Sequence, residues 1–141
     1  MRKSMVWLAP LVVLTAACSS EPAEEKAALT FHEVMKDQID KNADELWEIS
    51  NSAIGERAGI DPAKMTDDRW EDIAERADAV RAAALEIAAM DPLVVANPGV
   101  KISDEGIPGG HTAAMVQERF DNDPQTLRDM ANALAVHTGD M

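Results

Sequence analysis

The sequence predicts an all-α protein, an antiparallel four-helix bundle, and three observations carry that prediction. Apolar residues recur at steps of three and four over two long stretches, which places them on one side of a helix. No stretch alternates polar and apolar residues long enough to argue for a strand. Tyr is absent and Phe numbers 2 among 141 residues, although the hydrophobic fraction is 46%. Strands recruit aromatic and β-branched side chains, so this composition favours an alanine-rich helical core.

The first helix is expected to start at Thr30. Thr30-Phe31-His32-Glu33 has the Thr-x-x-Glu form of a capping box, in which hydroxyl and carboxylate each satisfy a free backbone amide. Its stripe is Phe31, Met35, Ile39, Ala43, Leu46, Trp47, Ile49 and Ala53, with Asp37, Lys41, Asp44 and Glu48 facing away, and Gly55 and Gly59 end it. Thr66-Asp67-Asp68 opens the second helix with a hydroxyl cap and two carboxylates against the positive helix end. There Trp70, Ile73, Ala77, Val80, Ala84 and Ile87 repeat at alternating threes and fours, the pattern of a bundle seam. Met90-Asp91-Pro92 stops it, because a residue before proline is pushed out of the helical region. If each indole fills the core, Trp47→Ala or Trp70→Ala costs about 3 to 5 kcal/mol.

Residues 91–110 hold three prolines and four glycines without helical period, and read as a crossover packed on the bundle or as a functional loop. A shorter helix is expected over 112–120, with Met115, Val116 and Phe120 inward. Asp123-Pro124 starts the last helix, a carboxylate cap followed by proline at the first position, with the stripe Leu127, Met130, Ala131 and Leu134. The folded unit is therefore 30–141, and it is large enough for a single core.

What precedes it reads as an address. Arg2 and Lys3 lead into an apolar run over 5–17 that closes on Ala16-Ala17-Cys18, the layout of a secretory signal with small residues before the cut. Thirteen helical residues reach about 20 Å, short of a hydrocarbon core of roughly 30 Å. The segment 1–17 resembles a bacterial lipoprotein signal, which implies lipidation of Cys18, a tether over 18–29, and a place in the periplasm. The alternative is an ordinary cleaved signal that leaves a free thiol. Ser19 after the cysteine, by the same resemblance, implies sorting to the outer membrane. The lone cysteine excludes an internal disulfide and any multi-thiolate metal site.

Charge narrows the function. Lys and Arg total 13 against 26 Asp and Glu, a formal −13, so the chain repels phosphate backbones and nucleic acid is not an expected partner. Enzyme activity has no support, since there is no phosphate loop, HExxH or nucleophile elbow, and Ser50, Ser52 and Ser103 have no histidine in any motif. The acidic pairs Glu24-Glu25, Asp67-Asp68 and Asp121-x-Asp123 read as tether, cap and turn. His32 with Met35 at i,i+3, and His111 with Met115 at i,i+4, could offer soft ligands to copper(I).

Phe31-x-x-Val34-Met35, Leu46-Trp47, Thr66-Asp67-x-x-Trp70, Asn97-Pro98-Gly99 and Asp123-Pro124-Gln125 together resemble the class II c-type cytochromes, the cytochrome c-prime group. In the low-spin members a methionine of the first helix ligates the haem iron, and Met35 matches it. The family's final helix ends in Cys-x-x-Cys-His, where this chain reads Ala135-Val136-His137, so covalent haem attachment is excluded. The resemblance then implies a bundle that kept the scaffold as a binding or structural envelope protein with an unknown protein partner. Its alternative is an electron-transfer protein with noncovalent haem between Met35 and His137, a Met and His pair at opposite ends of the chain. Family members pair through their first two helices, which extends the resemblance to a homodimer.

Overall fold

The computed structural model describes residues 29–56 and 59–140, so the signal, Cys18 and the tether before Leu29 lie outside the described residues. Within them the protein is all-helical, apart from one isolated bridge between Ile54 and Ile60. A continuous helical rod over 31–52 comprises α1 (Phe31–Val34), a π-helical stretch (Met35–Asp40) and α2 (Lys41–Ser52). It starts on the expected capping box. The Glu33 amide donates to Thr30 Oγ1 at 3.4 Å, and the Thr30 amide donates back to Glu33 Oε2 at 2.7 Å.

The π stretch is absent from the sequence reading, and it resets the buried face. Val34 and Ile39 are both buried five residues apart, and Asn42, Leu46, Ile49 and Ala53 then follow at threes and fours. One wide turn inserts a residue into the 3.6-residue rhythm, which rotates everything beyond it relative to everything before.

After Ser52 the chain reverses. The Asp61 amide donates to Ala53 O at 2.8 Å, Gly59 takes a φ of +129° that other residues avoid, and a short 3-10 turn follows at Pro62–Lys64. Thr66 then caps α3 (Asp67–Ala89), which returns antiparallel to the rod, as the pairs Gln38 with Glu86 and Glu45 with Arg76 require. The helix stops at Met90 as expected.

The crossover that follows is docked against the start of the rod. Val94 O and Val95 O accept from the Phe31 and His32 amides, both at 2.8 Å, and so satisfy two of the donors that every helix start leaves open. Gln117 of α4 (Ala113–Asn122) holds the other side of the crossover: it donates to Leu93 O and accepts from the Val95 amide, both at 2.9 Å. Leu93 and Val95 are buried, whereas most of 96–109 is exposed. α5 (Pro124–Gly139), capped by Asp123, runs antiparallel to the C-terminal half of α3. Arg128 donates to Met90 O at one end, and Gly139 sits by the Arg81 side chain at the other.

The main core joins the start of the rod, α3 and α5 through Val34, Ile39, Ala83, Ile87 and Ala131, with Phe31, Met35 and Leu127 packed on it. Phe31 meets Phe120 of α4 edge to face at 5.1 Å, a favoured aromatic geometry. A smaller cluster of Ala53, Met65 and Ile73 closes the far end.

Four expected stripes need correction. Trp47 and Trp70 are 71% and 51% exposed and do not fill the core. Leu46 and Trp47 are neighbours about 100° apart on a helix, so only one can face α3, and Leu46 does. Trp70 continues the α3 seam but lies beyond the reach of α5. On α5 the buried positions are Ala131 and Ala135, while Met130 is 65% exposed and Leu134 also reaches solvent. The smaller side chains face α3 and let the two helices approach closely. On α4, Met115 is exposed, while Val116 and Phe120 are half-buried.

Candidate functional site

Two concavities are built from residues that sequence reasoning had singled out. The first is a groove of about 410 Å³ between α2 and α3, walled by Leu46, Trp47, Ser50, Ile60, Trp70 and Ile73, with Ala43 at its end. It is apolar apart from the Ser50 hydroxyl. The two indoles reach it from facing helices, Trp47 from the flank of the α2 stripe and Trp70 from the first turns of α3. Ile60 comes from the reversal that the bridge to Ile54 holds in place. Two exposed tryptophans on one apolar groove form the anchoring pattern of a recognition surface, because an indole buries a large area with little rotamer freedom to lose.

The second concavity, about 310 Å³, lies toward the other end of the rod. Its apolar wall is Phe31, Met35, Val95, Ile102 and Val116, and His32 and His111 line it too. Lys36 and Arg119 bring positive charge, Asp40 and Asp104 negative charge. Arg119 Nη2 lies 3.0 Å from His111 Nε2. A guanidinium can only donate, so Nε2 accepts and the ring proton sits on Nδ1. The wall carrying His32 is fixed by the Thr30 and Glu33 box. Glu33 also accepts from Asn97 Nδ2 at 3.2 Å, which ties the crossover to the same turn. The bonds from Thr30, then that from Asn97, hold the Glu33 carboxyl below its ordinary value. The Thr126 hydroxyl, then backbone amides, do the same for the cap of α5, Asp123.

The sequence-predicted ligands separate. Met35 is half-buried on the second pocket, whereas His137 is exposed in the last turn of α5 and does not line that pocket. Haem, the group the resemblance brings, finds no pair of thiols, because the sequence holds a single cysteine, Cys18, and covalent attachment through two thioethers does not fit these residues. For noncovalent haem the chain offers one apolar wall with a thioether. His32 and Met35 do share a pocket, and His111 joins them, but Met115 points elsewhere on α4 and is not among the lining residues. Nothing in the sequence joined His111 to His32, since 79 residues separate them and only the docked crossover brings them together.

The acidic pairs have local tasks where they are described. Asp121 accepts from Gln117 Nε2 at 2.9 Å and Asp123 caps α5, while Glu24-Glu25 lies outside the described residues. Ser52 donates to Ile49 O. Among the described residues no three His, Cys, Asp or Glu side chains cluster as a metal site, and no helix is long and apolar enough to cross a membrane. Comparison of the chain with protein-family models, with curated proteins and with solved structures finds no match.

Proposed function

We propose that this chain is a lipid-anchored helical binding protein of the bacterial cell envelope, which uses the groove between Trp47 and Trp70 to hold an apolar partner. The single observation that carries the reading is the pair of exposed indoles on one nearly unbroken apolar groove. A soluble domain leaves such a feature open at a cost in solubility unless something covers it. The groove runs between two antiparallel helices, a shape that suits the apolar face of a partner helix. The anchor is Cys18, the lipidated first residue left by removal of 1–17, with Ser19 after it sorting the protein to the outer membrane. In this reading the helices follow the cytochrome c-prime arrangement of a four-helix bundle, kept as a scaffold without covalent haem.

The groove is tested in living cells by a photo-crosslinking residue at position 50. The expected result is a discrete adduct that disappears in the Trp47→Ala, Trp70→Ala double variant. An adduct indifferent to both tryptophans would remove the groove from the proposal, and an adduct with a second copy would identify a homodimer. Metabolic labelling with a clickable fatty acid tests the anchor, with loss of label expected in Cys18→Ala.

Noncovalent haem between Met35 and His137 is the second reading, favoured by the half-buried thioether on an apolar wall, and it requires His137 to leave its exposed place in the last turn of α5. It expects a Soret band on haemin titration that weakens in Met35→Leu and in His137→Ala. Absence of any band ends it.

A further inference from the structure

Three nitrogen and sulfur donors from separate parts of the chain line the second pocket: His32 in α1, Met35 at the start of the π stretch, and His111 just before the Thr112 cap of α4. We propose that they bind one copper(I) ion, through the two imidazoles and the thioether. The site is independent of the tryptophan groove and of any partner that groove holds.

Four observations support this choice of ion. First, a thioether is a soft donor that selects copper(I), while imidazole suits copper and zinc alike, so this mixture favours copper(I) over harder dications. Among the described residues no cluster of three His, Cys, Asp or Glu offers zinc a conventional set. Second, the Arg119 hydrogen bond keeps a lone pair on His111 Nε2, the state a metal requires, and an entering ion takes that lone pair in exchange for Arg119.

Third, both walls are held in place before any ion arrives. The His32 amide donates to Val95 O, and the Val95 amide donates to Gln117 of α4, the helix that carries Arg119 and follows His111. The hydrogen bonds that dock the crossover therefore also set the His111 wall against the His32 wall. The π stretch that begins at Met35 departs from regular helix at this place, where such bulges tend to serve sites. Fourth, the chain's net charge of −13 raises the concentration of cations around it.

Purified full-length protein, titrated anaerobically with copper(I) against the chromogenic chelator bicinchoninate, should withdraw one equivalent. His32→Gln, Met35→Leu and His111→Gln should each weaken retention by about ten-fold or more, since even partners behind a ligand are worth that much. Arg119→Leu should tighten it, and Met115→Leu should leave it unchanged. X-ray absorption at the copper edge should show sulfur beside nitrogen, with the sulfur lost in Met35→Leu. Circular dichroism separates loss of ligand from loss of fold, and Met35→Leu conserves volume. No copper withheld from the chelator, wild-type titration of folded Met35→Leu and His111→Gln, or displacement by equimolar zinc(II) would each overturn the proposal.

Discussion

The two halves of α3 carry the same seam and meet different neighbours. Toward the C-terminus, Val80, Ala83, Ala84 and Ile87 lie between the start of the rod and α5, and none is more than 4% exposed. Toward the N-terminus the repeat continues through Ala77, Ile73 and Trp70, but only α2 and the reversal after it lie alongside, and exposure climbs to 51% at Trp70. A heptad-like pattern therefore states which face of a helix is apolar, and the length and placement of the neighbouring helix decide how much of that face is covered. α5 extends from beside Met90 only as far as Arg81. What it leaves uncovered is the groove.

The largest effect should come from the covered half. Ile87 is 3% exposed and packs with Val34, Ile39, Ala83 and Ala131, so Ile87→Ala should cost about 2 to 5 kcal/mol through lost burial and the cavity left behind. Urea denaturation gives the value, and a loss near zero would mean that α5 does not close on α3. Next comes the helix start that joins this half to the crossover. Thr30 is 3% exposed and its hydroxyl both caps Glu33 and donates to its carboxylate, so Thr30→Ala should cost about 0.5 to 2 kcal/mol, measured the same way.

Local signals were legible wherever a single residue type does a single job. The Thr30 and Glu33 box, the Thr66 and Asp123 caps and the stop before Pro92 all follow from chemistry within four residues. The α3 seam was legible because its period is regular. The π stretch was not, because the only trace of it is a five-residue step from Val34 to Ile39, and either residue also fits an ordinary stripe. Coverage was not legible either: nothing near Trp70 states that α5 will stop at Arg81. The copper candidate was half legible, since His32 and Met35 share a helix face by spacing, whereas His111 arrives through a crossover whose path depends on tertiary hydrogen bonds.

The groove half supplies a smaller expectation. With 71% of Trp47 in solvent, Trp47→Ala should change stability by about 0.5 kcal/mol or less, against the 3 to 5 kcal/mol of a core indole. Trp70→Ala, half covered, should fall between the two. Tryptophan emission checks the same placement, because the chain holds three tryptophans and removal of 1–17 takes Trp7 away. Emission characteristic of water-exposed indole is expected from the free mature protein, with a blue shift when the groove is filled. A large loss of stability in Trp47→Ala would erase the distinction between the halves.

The smallest effect concerns acid, and it belongs to the covered end. Glu33 accepts from the Thr30 amide, the Thr30 hydroxyl and Asn97, and these bonds hold its carboxyl below the ordinary 4.5 in the folded state. A carboxyl with a lower folded than unfolded pKa stabilises the fold fully above the unfolded value, and that contribution is lost as pH falls through the folded one. Wild-type protein should therefore shed stability below about pH 4.5 more steeply than Glu33→Gln, which lacks the titrating group. The gap between the two should be widest at neutral pH and should narrow as acid is added. Denaturation midpoints across that range provide the comparison, and parallel curves would show that the capping carboxylate does not couple the crossover to the rod.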